Sequence, residues 1–130
     1  SQNFNVSISA SDASTPAMTG STSYSLVLND PNGPFTVSAV ATTLTATAVG
    51  AVNTTITSST AGLGAVTYTA TAPSPALPPE VTFSVSAGGV ATLTRSAAGA
   101  GGSSTVSVTK ADTACGGTRH QGSVTLTLDY

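Results

Sequence analysis

Apolar and polar residues alternate one for one along much of this chain, most strictly near its two ends. Val124, Leu126, Leu128 and Tyr130 fall on one side of the last stretch, and Ser123, Thr125, Thr127 and Asp129 on the other. A side-chain period of two marks a β-strand with one buried face. At the start, Phe4, Val6, Ile8 and Ala10 alternate with Asn3, Asn5, Ser7 and Ser9, so Asn3–Ala10 reads as a first strand of the same kind. Thr22–Asn29 is a second, with Tyr24, Leu26 and Leu28 on one face. Phe35–Ala48 is too long for one flat strand and should bend or bulge near Ala41–Thr43. Further strands are expected around Val52 and Ile56, over Ala65–Ala72, Val81–Ala87 and Val90–Arg95, and through Val106 and Val108.

The breaks between these runs carry turn chemistry. Asp30-Pro31-Asn32-Gly33-Pro34 is the strongest, because Pro presets φ and Gly supplies a positive φ. Gly62-Leu63-Gly64 and Gly88-Gly89 reverse the chain again. Ser11–Ser21 contains Pro16 and Gly20 and reads as a connector. Pro73–Pro79 holds four prolines, so it predicts a stiff link crossing from one sheet to another. Lys110–Gly117 reads as a loop. Eight or nine short strands with no helical period predict an all-β chain, an Ig-like Greek-key β-sandwich. Phe35-Thr-Val-Ser-Ala39 and Phe83-Ser-Val-Ser-Ala87 look alike and read as two equivalent sandwich strands.

Composition narrows the picture. The length of 130 residues suits one sandwich. Charged residues are 6% of the chain and Trp is absent, while Ser and Thr make up about a third. Such a chain has weak protection against edge-to-edge association, so it aggregates or assembles. Abundant alternating Val, Thr, Ile and Leu argue against disorder. A net charge of -2 with no basic patch argues against nucleic acid as a partner. No segment approaches the roughly 20 apolar residues of a membrane helix. The chain begins at Ser1 without Met, basic n-region or apolar h-region, which reads as the mature form of an exported protein.

Chemistry is sparse. The single histidine, His120, lies among polar neighbours and reads as a solvated loop residue. Asp12, Asp30, Glu80, Asp112 and Asp129 are dispersed, without the paired spacing of a hydrolase. There is no Gly-x-Ser-x-Gly elbow, phosphate loop or Cys/His zinc spacing, so neither an enzyme nor a cofactor nor a metal is expected. The lone Cys115 has no internal disulfide partner. Asn5-Val6-Ser7 and Asn53-Thr54-Thr55 fit the glycosylation acceptor pattern.

The two ends of the chain resemble those of pilus subunits of the chaperone–usher class. In that family the last strand alternates apolar residues, with a Gly fourteen places from the end and an aromatic residue next to last. Counting back from Tyr130, Gly117 is fourteenth, and Val124, Leu126 and Leu128 supply the alternation. Tyr130 is last rather than next to last, and the family's common disulfide is impossible with Cys115 alone. The resemblance implies a sandwich lacking one strand, which a neighbour's N-terminal segment completes. Residues 1–11 would then be the donor strand, plugging with Phe4, Val6, Ile8 and Ala10, and 12–130 the pilin domain. It also implies a homopolymer, with a periplasmic chaperone and an outer-membrane usher as assembly partners, exported through the periplasm into an extracellular cell-surface filament for adhesion or biofilm formation. Gly117, Val124, Leu126, Leu128 and Tyr130 would form the strand those partners recognise. Two other readings stay open: an Ig-like spacer or decoration module of a bacterial adhesin or phage virion protein, whose first strand pairs internally, and a carbohydrate-binding sandwich.

Overall fold

A computed structural model describes residues 2–28, 36–62, 64–112 and 120–130. Among these there are ten strands and no helix. The chain divides into two compact units, Ser1–Pro31 and Asn32–Tyr130. The first unit takes in both of the first two strands.

The N-terminal unit is a hairpin. β1 (Gln2–Ser11) and β2 (Thr19–Leu28) form an antiparallel ladder that runs without a bulge from Gln2↔Leu28 to Ser11↔Thr19. The turn between them is organised by one side chain. The Asp12 carboxylate accepts the Ser14 hydroxyl, the Ser14 N–H at 3.2 Å and the Met18 N–H at 2.8 Å. These bonds hold its pKa below the usual carboxylate value, the Ser14 hydroxyl contributing most.

The second unit is a sandwich of two four-stranded sheets. One has the order β3-β5-β8-β7 and the other β4-β10-β9-β6. Their strands are β3 (Val37–Ala39), β4 (Thr43–Thr45), β5 (Gly50–Ser58), β6 (Val66–Ala70), β7 (Val81–Val85), β8 (Val90–Arg95), β9 (Ser103–Asp112) and β10 (Gln121–Asp129). All neighbours are antiparallel except β4 and β10. This is an Ig-like arrangement, and the similar segments noted in the sequence become β3 and β7, the two outer strands of one sheet.

The expected bend after Phe35 is where the chain changes sheets. Val40 N–H still bonds Thr55 O of β5 at 3.0 Å, and Ala41 N–H bonds the Thr54 hydroxyl. Thr42 O already accepts from Thr127 N–H of β10 at 2.8 Å. The proline link also crosses between sheets, from β6 to β7, after Ser74 has exchanged two main-chain bonds with Thr105 of β9. The tight reversal between β7 and β8 closes on Ser86 N–H to Val90 O at 2.9 Å. Gly89 there has a φ of 77°, and a Cβ on it would meet the Tyr68 ring at 2.7 Å. Only glycine fits that backbone and that contact.

One core joins the sheets. Leu44, Ile56, Val81, Ala91, Leu93, Val106, Val108, Leu126 and Leu128 are buried in it, with Val37, Val52, Phe83 and Val124 packed around them. Each fully buried aliphatic side chain contributes about 1.5–3 kcal/mol of transfer free energy.

Candidate functional site

The register of the hairpin sorts its side chains onto two faces, since residues directly opposite share a face in an antiparallel pair. Phe4 stands opposite Leu26, Val6 opposite Tyr24, Ile8 opposite Thr22 and Ala10 opposite Gly20. The other face carries Asn5 with Ser25, Ser7 with Ser23, Ser9 with Ser21 and Ser11 with Thr19. The donor residues expected from the sequence, Phe4, Val6, Ile8 and Ala10, therefore share one face, and β2 adds Tyr24 and Leu26 to it. That face is open. Phe4 is 40% exposed, Ile8 55% and Tyr24 58%. It carries no charge. An open, uncharged apolar sheet face of this kind is the candidate interaction surface of the arm.

β10 bears the other set of expected residues. Val124 is half-buried, and Leu126, Leu128 and Tyr130 are buried. The whole of β10 pairs with β9, but only Thr127–Asp129 pairs with β4. Because Thr127 N–H points toward β4, the two-residue repeat points the main-chain groups of Gln121, Ser123 and Thr125 to the same side. Among the described residues no strand pairs with them there. Tyr130 anchors the end of the strand. Its N–H bonds Gly102 O at 2.9 Å, its O accepts from Gly102 N–H, and its hydroxyl lies 3.0 Å from the Ser104 hydroxyl. A Cβ on Gly102 would meet the Tyr130 ring at 2.9 Å, so the ring lies directly on that glycine. Gly117 lies outside the described residues, as do Cys115 and the Asp30–Pro34 turn.

His120 departs from its sequence reading. It is fully buried rather than solvated, with Nδ1 3.1 and 3.3 Å from the two carboxylate oxygens of Asp112. Asp112 N–H also bonds His120 O at 3.1 Å. Lys110 is buried too, and its ammonium donates to the Ser58 hydroxyl, Thr60 O at 2.9 Å and Ala61 O at 3.1 Å. β9 accordingly runs three residues past its expected end at Thr109, through Asp112. The signal was present: Lys110 and Asp112 continue the alternation of Ser104, Val106 and Val108, with polar groups that are buried because they are partnered. The Asp112–His120 pair clasps the two ends of the β9–β10 connection, and Lys110 ties β9 to the segment after β5. Among the described residues no three His, Cys, Asp or Glu side chains group in a way that could hold a metal. No family model, curated protein or solved structure matches this chain.

Proposed function

We propose that this chain is a structural subunit of an extracellular filament, joined to its neighbours through the N-terminal arm. The observation that carries this reading is the open apolar face of Phe4, Val6, Ile8, Tyr24 and Leu26. A two-stranded hairpin alone is at best marginally stable in water, so the arm gains most by lying against a second chain. Burial of Phe4, Val6 and Ile8 would contribute about 1.5–3 kcal/mol each before the cost of ordering. In the donor-strand form of the proposal, β1 leaves β2 and adds to a neighbour's sheet, and the unpaired side of β10 over Gln121–Thr125 is the edge that receives it. A head-to-tail contact that does not close on itself propagates into a fibre. The chaperone, the usher and a role in adhesion or biofilm belong to the same proposal and rest on the resemblance of the chain ends alone.

One observation favours the second reading, an Ig-like spacer or decoration module. β1 pairs within its own chain along its full length. Deleting residues 1–11 and examining both proteins by negative-stain microscopy and light scattering separates the readings. The filament proposal expects fibres from the full chain and soluble monomers from the truncated one. Fibres of unchanged form from the truncated chain overturn the donor assignment, and a full chain that stays monomeric at high concentration leaves the spacer reading.

A further inference from the structure

We propose that the cavity beside Arg95 binds a small monocarboxylate, with the guanidinium as its cation. The inference is independent of how the chain assembles. Arg95 ends β8 and continues the inward face of Ala91 and Leu93, so a full positive charge occupies a core position, 4% exposed. Charges are buried at such positions when something pairs them. Here the protein supplies only carbonyl oxygens. Nε donates to Ala97 O at 3.2 Å, and Nη2 donates to Gly99 O and to Ala100 O at 3.5 Å. Among the described residues Nη1 donates to no group and no carboxylate forms an ion pair with the side chain. Arg95 lines a cavity of about 320 Å3, together with Val49, Ala98, Gly99, Gly101 and Tyr130.

The class of ligand follows from these groups. A guanidinium presents parallel N–H donors that match the two oxygens of a carboxylate. The carboxylate of Glu80 lies against Gly99, so close that a Cβ added there would come within 1.8 Å of its Oε1. A negative charge beside that lining glycine disfavours a dianion such as phosphate over a singly charged acid. The small side chains of Ala98, Gly99 and Gly101 leave room beside the cation. The volume is at the lower end of ligand pockets, about 300–1,000 Å3, which suits a ligand between acetate and a sugar acid in size.

The test is a titration of the full chain with acetate and with glucuronate, read by NMR at the arginine side-chain N–H, with phosphate and glucose as controls. Saturable shifts are expected with both acids at a dissociation constant on the order of 1 mM, and none with glucose. A larger affinity for glucuronate than for acetate would assign the rest of the cavity to a sugar ring; equal affinities would assign the site to the carboxylate alone. Arg95→Lys should weaken binding about tenfold, the loss of one charge-assisted hydrogen bond. Val49→Glu places a competing carboxylate at a rim position that is 63% exposed, so it should abolish binding without lowering thermal stability; it carries the test if Arg95 variants fail to fold. Absence of a saturable shift with either acid, an equal response to glucose, or undiminished binding in a folded Val49→Glu protein would overturn the proposal.

Discussion

The arm and the sandwich are written in the same alternating pattern and meet opposite fates. Val106, Val108, Leu126 and Leu128 are buried, while Phe4, Val6 and Ile8, spaced identically in sequence, stand open to solvent. The difference is the number of layers. In the sandwich, the inward face of each sheet meets the inward face of the other across one core. The hairpin is a single layer of two strands, so its apolar side has nothing within the ladder to press against. Alternation specifies which side chains share a face; a second layer specifies whether that face is dry.

The comparison can be broken most sharply in the sandwich. Leu126→Ala opens a cavity in the shared core and should cost about 2–5 kcal/mol in denaturant unfolding. Asp112→Ala removes the carboxylate facing His120 Nδ1 inside a buried pair, so a loss of about 1–3 kcal/mol is expected by the same measurement. Gly89→Ala forces a side chain into a φ of 77° and onto the Tyr68 ring; a loss of about 1–3 kcal/mol is expected. Ile8→Ser in the arm should leave the unfolding midpoint of the sandwich within about 0.5 kcal/mol of the parent while reducing association in light scattering. A large loss of sandwich stability from Ile8→Ser would erase the distinction between the two regions.

The smallest expected effect concerns the turn of the arm. The Asp12 pKa is lowered in the folded state, so the ionised form is the one the turn favours. Its contribution is fully present above the ordinary carboxylate pKa and is lost as pH falls through the lowered value. Protection of the Met18 amide from hydrogen exchange should therefore fall in acid, and Asp12→Asn should remove that dependence. Unchanged acid sensitivity in the Asn variant would assign it to another group.

Much of the sandwich was legible because its signals are local. The break before Thr43, the reversal at Gly88-Gly89 and the inward set of the last strand each follow from a few neighbouring residues. The polar core positions were legible only in part. The alternation runs on through Lys110 and Asp112, but it does not show what partners them inside: the lysine bonds Ser58, Thr60 and Ala61, about fifty positions away, and Asp112 meets His120 across the β9–β10 connection. Arg95 was read only as the end of a strand, since its carbonyl acceptors come from a loop whose path the pattern does not specify.

By itself the sequence determined that this protein is built from short strands, which residues share a face, and where the chain must turn, because backbone geometry ties side-chain direction to a period of two. Tertiary structure alone decided which of those faces are covered and which charges lie inside. Coverage depends on the pairing of strands far apart in the chain, and a buried charge is tolerated only where distant groups converge on it.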